Sequence, residues 1–209
     1  DGTRIAIGAP YNSSSGTRAG HVQIYKPVNS NWTQRAKLTA NDALVFDLFG
    51  GGVSIDGDTM VIGARLDDDD GNNSGSAYVF TRGSTFNWTQ IAKLTASDGA
   101  ADDYFGRSVS IDGDTIVIGS PYEDVYGSNS GAAYVYTRNT AGSLTSGWTQ
   151  RAKLTASDGA AGDYFGHSVS IDGDTIVIGA WYDTDQGSHS GSAYVFTRNT
   201  DGSFGWTQR

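Results

Sequence analysis

Short apolar runs alternate with tight turns along this chain, and no segment shows a helical period. Residues 108–111 read Ser-Val-Ser-Ile, an alternation typical of a strand with one buried face. Asp112-Gly113 follows, a dipeptide favoured in two-residue hairpin turns because glycine accepts positive φ. Residues 115–118, Thr-Ile-Val-Ile, then return antiparallel. The pattern therefore predicts β-hairpins and almost no helix.

The hairpin pattern recurs along the chain with a period of about 57 residues. Ile-Gly-(Ala/Ser) and Trp-Thr-Gln both repeat at this spacing. The glycines of the first motif are Gly8, Gly63, Gly119 and Gly179. The tryptophans of the second are Trp32, Trp88, Trp148 and Trp206. The chain is therefore predicted to be one repeat array and not a set of different domains.

Each copy is predicted to form four antiparallel strands. The second strand is apolar on both faces, although antiparallel sheets usually leave one face in water. Both faces must then be covered, which four-stranded sheets achieve by packing face to face as the blades of a β-propeller. We predict an all-β, propeller-type array of about 3.75 repeats. It would have a partial blade at 1–35 and blades at 36–90, 91–150 and 151–209.

A family resemblance rests on a Phe-Gly pair and an Ile-Gly-Ala-Pro element. The pairs are Phe49-Gly50, Phe105-Gly106 and Phe165-Gly166, and residues 7–10 give the second element in full. These residues resemble the FG-GAP repeat of integrin α-subunit propellers and of many marine microbial and algal surface proteins. The resemblance implies a larger, seven-bladed propeller. We expect the phenylalanines to be buried at blade junctions, with the adjacent glycines allowing close backbone approach.

Calcium-binding repeats of that family carry an aspartate-rich loop between their first two strands, and this chain departs from the pattern. At that place it has only the Asp-Gly-Asp turns at 56–58, 112–114 and 172–174. Two carboxylates on a tight turn cannot supply the roughly six to eight oxygens that calcium prefers. The sequence therefore predicts turn residues there, and the family's calcium site is not carried over.

A second set of carboxylates lies in loops that a propeller would place on one rim. Two interpretations stay open, a solvated acidic rim or a calcium-dependent surface. The candidate ligands are Asp67, Asp69, Asp98, Asp102, Asp158 and Asp163. Calcium is the one cofactor that the sequence suggests.

Charge and composition exclude several partners. The chain has 14 Lys+Arg against 23 Asp+Glu, a formal net charge of −9, and no basic stripe for nucleic acid or an anionic membrane surface. Its apolar runs are far shorter than the ~20 residues that a bilayer crossing requires. The chain contains no cysteine, which excludes disulfides and thiolate sites.

The functional hypotheses follow from the repeats. The histidines occupy different repeat positions and suggest no catalytic grouping, so the chain itself is predicted not to be an enzyme. The leading hypothesis is an extracellular or cell-surface recognition or adhesion module with a protein or glycan ligand. A structural subunit of a filament or surface coat is the second. A scaffold whose catalytic domain lies elsewhere is the third.

Two further expectations concern the surface. Asn-x-Ser/Thr sequons, compatible with a secreted glycoprotein, occur at Asn12, Asn31, Asn72 and Asn87. The predicted strands number 3 + 4 + 4 + 4, which leaves one blade without its innermost strand. Because such an edge has unpaired backbone groups, we expect flanking repeats or another copy to pair there, near residues 3–8.

Overall fold

The computed structural model describes residues 4–84, 87–201 and 203–209, and their regular elements are all strands. The strands form four antiparallel sheets in chain order, the first of three strands and the others of four. No helix in these ranges has the length and apolar character needed to span a bilayer. The predicted all-β array of propeller-type blades is confirmed.

Each sheet is a meander whose strand order follows the chain. Sheet 1 contains β1 (Ile5–Gly8), β2 (Val22–Val28) and β3 (Asn31–Leu38). Sheet 2 contains β4 (Gly52–Asp56), β5 (Thr59–Ala64), β6 (Ser76–Arg82) and β7 (Trp88–Leu94). Sheet 3 contains β8 (Ser108–Asp112), β9 (Thr115–Ser120), β10 (Ala132–Arg138) and β11 (Trp148–Leu154). Sheet 4 contains β12 (Phe165–Asp172), β13 (Thr175–Ala180), β14 (Ser192–Arg198) and β15 (Trp206–Gln208).

The boundaries between blades lie a few residues later in the structure than the sequence pattern predicted. The boundaries at 35, 90 and 150 fall inside β3, β7 and β11. In sheets 1, 2 and 3 the last strand starts at or next to the Trp-Thr-Gln motif and ends at a buried leucine: Leu38, Leu94 or Leu154. In the described residues of sheet 4 the last strand is Trp206–Gln208.

The hairpin between the first two strands of a sheet differs by one residue from the predicted Asp-Gly turn. Asp112 pairs with Thr115, so the two loop residues are Gly113 and Asp114. Gly113 has a φ of 54°, which glycine adopts without strain, whereas Asp114 is not in the left-handed region. The first aspartate of each Asp-Gly-Asp turn is therefore the last residue of a strand.

Neighbouring sheets pack face to face, with their first strands in contact: β4 with β8, and β8 with β12. Strands β5 and β9 are buried along their whole length because a sheet covers each face. In β13 alternate residues are exposed, among them Val177 at 41%. The two-sided burial inferred from the apolar second strands thus holds where sheets lie on both sides.

The Phe-Gly pairs join neighbouring sheets. Phe49, Phe105 and Phe165 are 0–1% exposed, and each bridges a glycine of the preceding sheet. The Phe105 ring meets Tyr134 edge to face, with ring centroids 5.5 Å apart, a favourable aromatic geometry. Tyr78 and Tyr194 meet Phe49 and Phe165 in the same way. The repeated tyrosines are therefore packing residues.

Glycine allows the backbones of neighbouring sheets to touch at these junctions. A Cβ on Gly119 would lie 1.9 Å from the carbonyl oxygen of Gly166 in the next sheet, and Gly63 meets Gly106 in the same way. Gly8 meets Gly50 at 2.0 Å. We call these three glycine pairs the glycine seam. A side chain at Gly8, Gly63 or Gly119 would push two sheets apart.

Candidate functional site at one rim of the sheets

One rim of the array carries the loops between second and third strands and the connections between sheets. Lys93, near the end of β7, lies in the middle of three carboxylates on this rim. Its Nζ is 2.7 Å from Asp42 Oδ2, 3.2 Å from Asp67 Oδ1 and 2.5 Å from Asp69 Oδ2. Asp67 is buried and also accepts a hydrogen bond of 2.7 Å from the Tyr78 hydroxyl. The lysine therefore neutralises carboxylates from two separate loops.

The next sheet repeats this arrangement. Lys153 Nζ lies 2.7 Å from both Asp98 Oδ2 and Glu123 Oε1. Burial acts to lower the pKa of Lys153, but its hydrogen bonds to the two carboxylates outweigh burial and raise the pKa above its usual value. Lys153 is therefore a fixed cation within the acidic rim.

The other candidate ligands point to different roles. Asp102 accepts a hydrogen bond of 2.8 Å from Asn73 Nδ2. Asp163 is buried and accepts the Ala160 amide at 2.6 Å. Asp158 is exposed and lies near Asp185. The pKa of Asp185 is raised, mainly by the charge of Asp183. The six candidates therefore do not converge on one point.

Three of the six candidates do not fit a calcium site because lysine occupies it, and the other three do not converge. Lysine ammonium groups already bind Asp67, Asp69 and Asp98, so the space and the negative charge that a divalent cation needs are taken. Within the described ranges, no group of three or more acidic or histidine side chains could hold a metal ion. Integrin FG-GAP repeats bind calcium, but in this chain Lys93 and Lys153 supply the positive charge beside these carboxylates.

Calcium added to chelator-treated protein is expected to leave the thermal unfolding midpoint unchanged, since lysines already pair with Asp67, Asp69 and Asp98 and the other three candidates do not converge on one point. Differential scanning calorimetry with and without calcium checks this. A calcium-dependent rise in the midpoint that Asp98→Asn abolishes would contradict the lysine pairing.

Lys153→Met is expected to lower the free energy of unfolding by about 1–2 kcal/mol, because it leaves Glu123 partly buried without its cation. Urea unfolding measures the change. Lys37→Met is the matched control, since Lys37 occupies the same repeat position and donates to the Ser14 hydroxyl, with no carboxylate partner in the described part of the chain. It is expected to change stability by less than about 0.5 kcal/mol. Equal losses in the two variants would show that the carboxylates contribute nothing.

A second acidic group is buried just before each Phe-Gly pair. Asp47, Asp103 and Asp163 are each 5% exposed and accept the amide of the residue three positions earlier. Burial raises the pKa of Asp103 to about 6, partly opposed by the Ala100 amide, and does the same to Asp47. These carboxylates shape the loop that leads into the buried phenylalanine.

Asp103→Asn is expected to stabilise the protein by about 1–2 kcal/mol at pH 7.5 and to change little at pH 4. The folded-state pKa of about 6 lies above the usual 3.8, so the folded protein binds the proton more tightly. Stability from this proton is present below about pH 4 and lost as the pH rises through about 6. Asparagine keeps an acceptor without the buried charge.

Urea unfolding at the two pH values measures this effect, with Asp172→Asn as a control on an exposed carboxylate at the end of β12. A stability gain for Asp103→Asn that is the same at both pH values would refute the raised pKa.

The opposite rim carries the Asp-Gly-Asp turns, whose carboxylates hold neighbouring sheets together. Asp56 Oδ2 accepts the Gly113 amide of the next sheet at 2.8 Å. Arg138 donates to Asp114 at 2.6 Å and across the junction to Thr59 Oγ1 at 3.0 Å. These turns are therefore structural.

A run of aromatic rings crosses sheets 3 and 4 on the rim that carries the lysines. Ring centroids are 4.5 Å apart for Tyr104 and Tyr122, 5.0 Å for Tyr122 and Tyr164, and 5.9 Å for Tyr164 and Trp181. Tyr182 continues the run 4.9 Å from Trp181. The Trp181 side chain is 53% exposed. We call these five rings the aromatic rim.

Three basic side chains lie beside the aromatic rim. Arg107 Nη2 is 3.1 Å from His167 Nε2, and the His167 ring centroid is 5.5 Å from that of Trp181. Arg65 donates to the Tyr11 hydroxyl at 3.4 Å. Burial, and then the charge of Arg65, lowers the pKa of Arg107. Among the described residues, no carboxylate forms an ion pair with any of these three basic groups.

Sequence reasoning missed this surface because its exposed tryptophan and its basic residues are not repeated, although Tyr104 matches Tyr164 and Tyr122 matches Tyr182. Pro10, Arg65, Pro121 and Trp181 occupy one repeat position, two residues after the Ile-Gly glycine. Gly51, Arg107 and His167 occupy another, directly after Phe-Gly. A comparison of the copies at positions next to the repeated motifs would have indicated this surface, because the residues there differ.

The four sequons all lie on the surface. Asn12, Asn31, Asn72 and Asn87 are exposed, and Asn31 begins β3. Glycosylation at these positions stays a prediction.

Comparison with known protein families agrees with the geometry of the sheets. The model of the FG-GAP repeat matches residues 32–80, 88–136 and 148–196, more than two thirds of the chain. Each match begins in the last strand of one sheet and ends in the third strand of the next, so it includes the connection that carries the Phe-Gly pair. A search of curated proteins found no match. The chain belongs to the FG-GAP repeat family.

Proposed function

We propose that this chain is a non-enzymatic, extracellular recognition or adhesion module that presents one propeller rim to a protein or glycan ligand. FG-GAP propellers are generally non-enzymatic and typically occur in extracellular proteins, which supports this assignment. Function still has to be argued from the site, because propellers host unrelated activities.

The observation that carries the proposal is the aromatic rim. Tyrosine and tryptophan supply large, stiff contact surfaces with a polar tip, and they are enriched in binding interfaces. Here five such rings are adjacent, and Trp181 is more than half exposed. Leaving the Trp181 ring in water beside four partly exposed tyrosines is unfavourable, so this placement supports a contact with a ligand.

Binding of the purified chain to immobilised extracellular glycoproteins and polysaccharides, measured by biolayer interferometry, tests the proposal. Trp181→Ala is expected to weaken binding at least about tenfold. Phe204→Ala is the control, because Phe204 is 51% exposed in the loop before β15, away from the aromatic rim. No saturable binding to any of these surfaces, or equal losses in the two variants, would refute the recognition function.

We also keep a structural subunit of a filament or surface coat as a second candidate. Its support is the exposed apolar surface on the outer sheets, where Ile5 and Ile7 are 39% and 49% exposed and Val177 is 41% exposed. The nearest atoms to a Cβ on Gly179 belong to Ser168 of the same sheet, whereas a Cβ on Gly63 or Gly119 would meet the backbone of the next sheet. A flanking repeat or another copy would cover this face.

Light scattering over a range of concentrations tests that candidate. Association that Val177→Lys suppresses would favour assembly through sheet 4. A well-folded chain that stays strictly monomeric at high concentration would exclude self-assembly and leave the recognition function in place.

A further inference from the structure

The three basic groups beside the aromatic rim lie close together in an otherwise acidic protein. Arg65 lies directly after β5, Arg107 directly before β8 and His167 near the start of β12. Arg107 nevertheless contacts His167 directly, and the charge of Arg65 acts on Arg107. The chain as a whole has a net charge of −9. The guanidinium groups of Arg65 and Arg107 carry like charge, which costs free energy in the unbound protein, and an anion between them would recover it.

The fold holds these groups in place by packing and by their neighbours. A Cβ on Gly51 would lie 3.3 Å from Arg65 Nη1, so the guanidinium rests over that glycine. Arg107 and His167 follow the buried Phe105 and Phe165, so they stand at matching positions of neighbouring sheets. Such preorganised donors favour binding because little side-chain entropy remains to be lost.

The basic groups of this rim have two different kinds of neighbour. Lys93 and Lys153 are each surrounded by carboxylates of the same rim. Arg65 and Arg107 instead have tyrosine and histidine as their hydrogen-bonding neighbours. The two lysines are therefore neutralised by the protein's own carboxylates, whereas the two arginines lie beside the aromatic rim.

We propose that the aromatic rim, together with Arg65, Arg107 and His167, binds a glycan that carries carboxylate or sulfate groups. This inference rests on the proposed recognition function and names its ligand class. The apolar faces of sugar rings lie on Trp181 and the tyrosine rings, and the guanidinium groups donate to the anionic substituents. Charge-assisted hydrogen bonds of this kind are about twice as strong as neutral ones.

A glycan fits this surface better than an acidic peptide. Extended peptides usually add a strand to an open sheet edge, and helical peptides need an apolar groove. The aromatic rim lies on loops and strand ends, and its rings carry hydroxyl or ring N–H groups. A sugar chain can lie flat on such a surface with its hydroxyls still solvated.

Matched pairs of polymers test the proposal on the full chain in the presence of a chelator. Polygalacturonate is compared with its methyl-esterified form, and dextran sulfate with dextran, by biolayer interferometry. The charged member of at least one pair is expected to bind at least about tenfold more tightly, with an affinity that falls as salt is added. Binding confined to one pair identifies carboxylate or sulfate as the anion.

Two substitutions with the same charge change separate the site from the overall charge. Arg107→Gln is expected to lower the affinity at least about tenfold, since it removes a charged donor. Arg151→Gln, on β11 beside Phe204, removes one positive charge away from the aromatic rim and is expected to change the affinity less than about twofold. Thermal unfolding of both variants confirms that they are folded.

The remaining outcomes overturn the inference in distinguishable ways. Trp181-dependent binding to neutral dextran or to a protein, without a preference for charged glycans, would refute the anionic ligand and leave the recognition function intact. Polyglutamate that binds as tightly as the charged glycans would assign the site to acidic peptides. Equal losses for Arg107→Gln and Arg151→Gln would refute the site itself.

Discussion

Phe105→Ala is expected to lower the free energy of unfolding by about 3–5 kcal/mol, because it leaves a cavity between sheets 2 and 3. The ring is 1% exposed and packs edge to face on Tyr134 and Tyr136, with centroid distances of 5.5 and 6.1 Å. Urea unfolding followed by tryptophan fluorescence and by far-UV circular dichroism measures the loss with two probes.

Phe204→Ala is the control for that measurement, since the same atoms are removed from a half-exposed ring. It is expected to cost less than about 1 kcal/mol. A Phe105→Ala protein as stable as the Phe204→Ala protein would mean that the Phe-Gly pair does not hold neighbouring sheets together.

Gly119→Ala is expected to destabilise the array by about 3 kcal/mol or more, because the new Cβ would overlap the Gly166 carbonyl oxygen at 1.9 Å. The oxygen belongs to the backbone and the backbone also fixes the position of the Cβ, so no side-chain rotation relieves the overlap. The two sheets must move apart, which also weakens the packing of Phe165. Chemical unfolding measures the change.

Gly179→Ala provides a control at the same repeat position. Its Cβ would meet Ser168 Oγ at 2.5 Å, and the serine hydroxyl can rotate away. The expected loss is less than about 1 kcal/mol. If the two substitutions proved equally harmful, the cost would belong to the strand itself and not to the contact between sheets.

The parts of the fold that repeat were readable from the sequence. The apolar Thr-Ile-Val-Ile strand implied cover on both faces, and β9 is buried along its whole length. The Phe-Gly pair implied a junction, and Phe105 lies there. Both inferences needed only a pattern and the requirement that apolar surface be buried.

The functional surface depends on distances that a pattern does not contain. Lys93 reaches carboxylates that lie 51 and 26 positions earlier in the chain, at Asp42 and Asp67, and only the packing of the loops brings them together. The number of acidic residues therefore left a calcium-dependent surface open as an interpretation, but at Asp67, Asp69 and Asp98 a lysine provides the positive charge. Trp181 was missed for another reason, since a search for repeated residues passes over the copies that differ.

The glycine seam separates what is constant in this protein from what is free to vary. Backbone atoms of neighbouring sheets are in contact along the seam, so the spacing there does not depend on the outer loops. The loop after β6 closes with a bond from the Gly83 amide to the Asn87 carbonyl, and the longer loop after β10 closes with the corresponding bond from Asn139 to Gly147. Loops of different length thus start and end at equivalent places. A lineage of such chains can duplicate units and diversify their rims by mutation without redesigning the joint between blades.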